Sequence, residues 1–423
     1  MNNEREYITK NGIPIYVLDN PSQHGFFLSL FVKSGTLYES GGECGITHFI
    51  EHVAIRNVNS IMGGELYRTL DAHGLEFNAS TFSEMVQFYL SGASENFRLA
   101  ADIAVKLFSP IELSRKDIDA ERVRIRAEIR EADEKNSLPG FTAGEVWAGT
   151  PLANPITGTP SSVGAISKRA LEAYRRDAFG IGNVFFYLTG RVNGGDVEYL
   201  SDLLDGYLHK CPYKHENIAS VPRNFGKRNA KVALKNADFT KVRFNFDLDM
   251  SRFTVREVDL LYEIVLGGYA SDFFIELSEK RGLFYDISGS TERYKNIGTF
   301  SFSFELREGK LYEATEKSVE LLRSMKEIVL PEDRCMKSGY VGNAYMLFDD
   351  ARELNFTFAY DNHILDTGYM GIEDRRRKYA EITPERIREV ARTVFTPDNL
   401  TLTLKGSKKR IDTEKIRDIL LTL

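Results

Sequence analysis

Two apolar, β-rich runs frame the chain. Val184-Phe185-Phe186-Tyr187-Leu188 and Leu400-Thr401-Leu402-Thr403-Leu404 each follow a helix-like segment and each lead to a glycine, Gly190 and Gly406. The stretches that contain them, Ile166–Gly190 and Ile382–Gly406, align without a gap. Each opens on an N-cap candidate, Ser167 or Thr383, runs through a helix to Phe179 or Phe395, and turns at Asn183 or Asn399. A second trace agrees: Leu66 to Phe88 and Phe274 to Phe302 both read as a helix, a Gly-Leu corner and paired strands. A repeat at about half the chain length predicts two related units. Opening strands are predicted at Ile13 to Asp19 and Phe26 to Ser34, with a hairpin-like break at Asn20-Pro21-Ser22, and likewise at Lys231 to Lys235 and Lys241 to Asp249. The alternation Phe300-Ser301-Phe302-Ser303-Phe304 predicts antiparallel, half-buried strands. The fold class is therefore α+β, with two similar domains over 1–212 and 231–423. The linker 213–230 sits in a stretch containing Pro212, Pro222, Asn and Lys.

Composition narrows the function classes. The 423 residues are 42% hydrophobic and 27% charged, which is ordinary globular composition with enough apolar residues for a sizeable core. A net charge of −6 with no concentrated basic face argues against nucleic-acid binding. No apolar run approaches the roughly 18 residues of a membrane span. The start, Met1-Asn2-Asn3-Glu4-Arg5-Glu6, lacks the apolar stretch of a secretory signal, and the three scattered cysteines, Cys44, Cys211 and Cys335, read as free thiols. The expected compartment is the reducing cytoplasm.

The chemistry concentrates in Gly45-Ile46-Thr47-His48-Phe49-Ile50-Glu51-His52-Val53. Ile46, Phe49, Ile50 and Val53 fall at helical spacing, Gly45 interrupts the chain just before, and Thr47 is an N-cap candidate. On such a helix His48, Glu51 and His52 share one face. Two imidazoles and a carboxylate on one face can hold a zinc ion and activate water, and H-x-x-E-H is the inverted order of the commoner zinc-protease motif. A catalytic zinc takes three protein ligands, so a His, Cys or carboxylate from another element is required. The charged helical stretch Asp117 to Lys135 offers Glu121 and Glu128, seven apart on one face. Spacing alone leaves open whether Glu128 is a ligand or part of a solvated charged face.

With these residues in view the sequence resembles the insulinase, pitrilysin and mitochondrial-processing-peptidase family of inverted zinc metallopeptidases. Gly45, His48, Phe49, Glu51 and His52 match its G-x-x-H-F-x-E-H motif, and Glu121-Arg122 with Glu128 match its downstream E-R-x-x-x-x-x-E segment. The resemblance implies one Zn2+ per chain on His48, His52 and Glu128, Glu51 as general base, and Glu121 as a supporting acid that does not itself ligate. Gly74 to Thr81 resembles a G-x-x-x-N-A-x-T edge strand, which implies Asn78 and Ala79 as residues that pair with the substrate backbone. Pro155-Ile156-Thr157-Gly158-Thr159, Gly267-Gly268 and Gly282-Leu283-Phe284-Tyr285 match further family segments. The implied architecture is two similar domains, each a largely antiparallel sheet packed by helices, together forming half of a clamshell. The implied activity is endopeptidase cleavage of peptides or small unfolded precursors.

One position departs from the pattern. Where the family places an Arg and a Tyr seven residues apart in the second half, to hold the substrate, this chain has Ser278 and Tyr285. Arg281 lies three positions on, rotated by about 300° around a helix. Tyr285 is thus an implied substrate-binding residue that lacks its Arg. Either a local cation substitutes, or a second chain supplies the Arg in a homodimer or heterodimer. The alternatives to a self-sufficient protease are a zinc-bearing subunit that is inactive without its partner and a non-catalytic structural subunit.

Overall fold

Each of the two repeated strands lands inside a sheet, flanked by a strand on either side. The structure, a computed structural model, describes residues 4–133, 136–208, 227–267, 269–284, 287–327, 345–346, 349–367 and 371–423. The first sheet comprises β1 (Arg5–Ile8), β2 (Pro14–Asp19), β3 (Gly25–Val32), β4 (Glu76–Thr81), β5 (Val86–Ala93) and β6 (Val184–Gly190), in the order β1-β2-β6-β3-β5-β4. The second comprises β7 (Lys231–Asn236), β8 (Thr240–Asp249), β9 (Ile287–Arg293), β10 (Ile297–Leu306) and β11 (Leu400–Gly406), in the order β7-β11-β8-β10-β9. Without β1 the first order is the second order element for element, so the internal repeat is structural. The pairs β2–β6 and β7–β11 are parallel and the other pairings antiparallel.

This topology corrects the expected opening hairpins. β2 and β3 are not partners: β6 lies between them, parallel to β2 and antiparallel to β3. β11 does the same between β7 and β8. A late, largely buried strand in each half displaces the local pairing that the short connections suggested. Ser167 and Thr383 cap their helices as expected, accepting from Ala170 and Arg386 amides.

The chain divides into two compact units whose members are not contiguous. The described residues within Met1–Asp133, Asn154–Ala219 and Met346–Gly371 form one unit, and those within Glu134–Ala153, Ser220–Tyr345 and Ile372–Leu423 the other. The boundaries 1–212 and 231–423 follow the sequence repeat, whereas the compact units follow packing. Most of the 213–230 stretch lies outside the described residues.

In the first unit the helices include α1 (Ile46–Ile61), α2 (Leu66–His73), α3 (Phe97–Ala104), α4 (Arg115–Ala132), α6 (Pro160–Ala165) and α7 (Lys168–Ala178); α5 (Leu138–Val146) belongs to the second unit. One sheet face packs Leu28, Leu30, Phe88 and Leu188 against α1 residues Phe49, Ile50 and Val53. The opposite face carries Phe31, Phe185 and Tyr187, covered by Leu354 and Phe358 of the helix Ala351–Ala359. In the second unit Phe244, Phe246, Phe300, Phe302 and Phe304 build the core face. Its other face is polar but also buried: Ser301, Ser303, Thr401 and Thr403 are no more than 5% exposed. The Phe-Ser alternation was expected to mark half-buried strands; here both faces are covered. α5 packs on that polar face, with a 2.5 Å hydrogen bond between the Thr142 and Thr403 hydroxyls. Among the described residues no helix is long and apolar enough to cross a membrane.

The start of α1 is set from a distance. Its N-cap is Gly45, at φ 88°, with no capping side chain. Thr47 is not the cap: it lies inside the helix, and its hydroxyl hydrogen-bonds the Tyr174 hydroxyl at 2.8 Å. Gly45 admits no side chain, because a Cβ there would lie 2.8 Å from Gly158 Cα. The capping oxygen comes from Glu39, whose carboxylate accepts from the Gly45 and Thr47 amides, both at 3.0 Å. A carboxylate at this end also complements the helix dipole. Burial, opposed by those two amide donors, pushes the Glu39 pKa up to about 7. Glu39→Ala leaves these amides without an acceptor and should cost about 1–3 kcal/mol of stability. A lowered urea midpoint for first-unit unfolding checks this; an unchanged midpoint would remove Glu39 as the cap.

Candidate metal centre

α1 and α4 bring the motif together. His48 and His52, one turn apart on α1, sit with ring centroids 4.7 Å apart. Glu128, near the end of α4, places Oε2 3.7 Å from His48 Nε2 and 3.3 Å from His52 Nε2. One ligand atom from each of His48, His52 and Glu128 lies within 4.8 Å of the others. Tetrahedral zinc with bonds near 2.1 Å puts its ligand atoms about 3.4 Å apart, so the two separations to Glu128 suit that ion. Two imidazole nitrogens with one carboxylate oxygen form a donor set typical of catalytic zinc. Among the described residues this is the one group of three or more such side chains so placed.

The surroundings favour a cation at this point. Burial, reinforced by the neighbouring charge of His52, lowers the His48 pKa to about 4, which keeps its ring neutral and able to ligate. His52 behaves oppositely. Burial pulls its pKa down, but the Glu121 hydrogen bond and the charges of Glu128 and Glu51 outweigh that and raise it. The three carboxylates around His52 therefore make this point favourable for positive charge.

Glu121 ties this arrangement to the protein. Its side chain is 2% exposed. One oxygen lies 3.3 Å from His52 Nδ1 and the other 2.6 Å from Arg56 Nη1. Arg124 approaches within 3.3 Å, and Arg56 reaches on to Asp117 at 3.1 Å. Burial alone would raise the Glu121 pKa; the His52 and Arg56 hydrogen bonds outweigh it and lower it. A carboxylate on the far nitrogen of a metal-ligating His fixes ring orientation and tautomer. Arg122, the next residue on α4, stacks its guanidinium over the Phe49 ring at 5.1 Å and donates to the Val163 carbonyl.

Glu51 lies on the same face of α1 as the histidines. Burial raises its pKa, opposed by the hydroxyl of Thr81, which donates to Oε2. Thr81 ends β4, the edge strand of the first sheet. Asn78 and Ala79 lie on that same strand, and the Asn78 Oδ1 accepts the Ala79 amide at 2.8 Å. His48, His52, Glu128, Glu121 and Glu51 thus lie together, and Asn78 and Ala79 share a strand with the Thr81 that Glu51 touches. Tyr285 lies outside the described residues. Ser278 is described, and its hydroxyl donates to the Phe284 carbonyl at 3.1 Å.

Sequence reasoning missed Arg56, Thr81 and Glu39. Arg56 had a signal, since it stands four residues after His52 and so on the same helical face. Thr81 closes the G-x-x-x-N-A-x-T segment, where the sequence assigns its hydroxyl no partner. Glu39 had no signal, because its partners are backbone amides.

Comparison with known proteins fits this geometry. The family model described as insulinase, peptidase family M16, matches residues 15–160, and the model described as the peptidase M16 inactive domain matches residues 165–334. An uncharacterized zinc protease of Mycobacterium leprae is 21% identical over 398 residues, covering 90% of this chain and 86% of that protein. A crystal structure of a peptidase M16 inactive domain from Pseudomonas fluorescens superposes with a TM-score of 0.84 at 16% identity, covering 96% of this chain and 99% of that one. The periplasmic protease PqqL of Escherichia coli superposes with a TM-score of 0.79 at 16% identity, covering 99% of this chain but 50% of that one. With both models matched end to end over most of its length, the chain belongs to the insulinase family, peptidase family M16.

Proposed function

We propose that this chain is a zinc endopeptidase that cleaves extended peptides or small unfolded precursors. The observation that carries this reading is the placement of Glu51 between the His48/His52/Glu128 group and the edge strand β4, to which Thr81 joins it. Zinc, when held by those three residues, supplies Lewis acidity toward the scissile carbonyl and the attacking water. Glu51 takes the proton from that water and returns it to the leaving nitrogen. With Thr81 occupying Oε2, the other oxygen, Oε1, is the one that carries the proton. Burial raises the Glu51 pKa, which makes it a better base and a competent acid in turn.

β4 supplies the substrate track. Among the described residues its outer edge has no strand partner in the sheet, and the Asn78 carboxamide occupies the Ala79 amide. A peptide laid along this edge would replace the carboxamide with its own carbonyl, gaining main-chain pairing that is indifferent to sequence.

A second chain completes the site in this reading. The Ser278 hydroxyl is spent on the Phe284 carbonyl and cannot stand in for an arginine. The chain also matches only half of PqqL, the length expected of one side of a clamshell. The partner is a second copy or a related chain that contributes the missing Arg.

Three outcomes test these assignments. Glu51→Gln should lower kcat by about 100- to 10,000-fold while zinc content stays at one per chain; wild-type turnover would refute the base. Glu128→Gln should lose stoichiometric zinc by elemental analysis, and Glu121→Gln should weaken zinc affinity by about 10- to 100-fold through His52. Zinc retention unchanged in both would remove α4 from the site. Native mass measurement with activity assay should find the purified chain active only as a dimer, or silent until a related chain is added; an active monomer would sink the partner assignment.

A further inference from the structure

The second unit holds a cavity of about 880 Å³ at one end of its sheet. Lys241, Arg307 and Lys310 line it, together with Ser288, Ser303 and a single carboxylate, Glu305. Lys310 pairs with Glu313 at 2.8 Å. No carboxylate lies within salt-bridge distance of Lys241 or Arg307 among the described residues. Lys241 and Glu305 face each other across the β8–β10 pair and form no ion pair, and Lys405 stands opposite Lys241 on β11.

Behind the lining runs a buried polar stripe. The Ser288 and Ser303 hydroxyls hydrogen-bond at 2.8 Å, and the Ser290 and Ser301 hydroxyls at 3.0 Å. Arg243, two residues along from Lys241 on the same face, donates to Ser301 at 2.7 Å and Ser290 at 3.2 Å. The residue is 7% exposed, its Nε has no hydrogen-bond partner among the described residues, and it ion-pairs with the half-exposed Glu292 at 3.9 Å. A buried cation whose ion-pair partner is a half-exposed carboxylate at the limit of salt-bridge distance is only partly neutralised and keeps a positive field in a low-dielectric region. The cavity opens beside that field, with serine hydroxyls on its wall and two cations, Lys241 and Arg307, that form no ion pair among the described residues.

We propose that this cavity is a recognition site for a peptide carboxylate. The inference rests on the reading of the chain as acting on peptides, which selects a carboxylate among anions. Lys241 and Arg307 supply the charge, Ser288 and Ser303 the hydrogen bonds, and the buried Arg243 the background potential. The site would select peptides by an acidic group.

The test measures binding without hydrolysis, using the zinc-loaded Glu51→Gln chain. The probe is a fluorescein-labelled alanine-leucine decapeptide in three forms: free acid, C-terminal amide, and amide with one internal Glu. Anisotropy should show the free acid binding about tenfold or more tighter than the amide, the size expected of one charge-assisted contact. Lys241→Gln combined with Arg307→Gln should erase that difference while leaving amide binding, zinc content and thermal midpoint unchanged. If the Glu-containing amide gains instead of the free acid, the carboxylate recognised is a side chain, and the same double variant should erase that gain. Equal binding of all three forms, or an equal loss for all three in the double variant, would overturn the site. A wild-type chain that binds acids selectively but cleaves nothing, alone or with a related chain added, would keep the cavity and lose the peptidase reading. One that cleaves and holds acid and amide equally would do the reverse.

Discussion

The grip of Glu121 on His52 and Arg56 is the contact on which the rest of the first unit turns. A carboxylate this deeply buried is tolerable only because an imidazole and two guanidinium groups surround it. The same contact sets the rotation of α4 against α1. That rotation decides whether Glu128, two turns further along α4, points at the histidines or at solvent. Glu39 fixes the other variable, where α1 begins, by accepting amides that no local side chain reaches. Start and rotation together place three ligand atoms within a few ångström on helices that are not adjacent in sequence.

Much of this was legible in the sequence, and the illegible part has a common cause. His48, Glu51 and His52 follow from helical periodicity alone, because their relation is local. Ser167 and Thr383 cap the repeated helices as their position before each helix suggests. Glu128 needed a resemblance, because spacing cannot separate a ligand from an exposed charge. The opening strands were placed correctly but paired wrongly, since β6 and β11 arrive from far along the chain to take the central position. Thr47 looked like a cap because Ser and Thr before apolar runs commonly are, yet the helix starts two residues earlier and the hydroxyl serves Tyr174. Tertiary contacts overrode a local preference in each case.

The two halves share a topology and treat its second face in opposite ways. The first sheet turns Phe31, Phe185 and Tyr187 outward and covers them with apolar residues of the helix Ala351–Ala359. The second turns out serines, threonines and Arg243, and buries them through hydroxyl pairs and α5. A duplicated framework thus diverged where covering was needed, and only the first half kept a helix carrying H-x-x-E-H.

The segment within Met346–Gly371 that completes the first unit comes from late in the chain. Ribosomal synthesis proceeds at about 5–20 residues per second. The apolar face of the first sheet, finished with β6 at Gly190, therefore waits on the order of ten seconds for its cover. During that interval the nascent chain presents Phe31, Phe185 and Tyr187 to solvent, so its hazard of aggregation is greatest before its last quarter has been made.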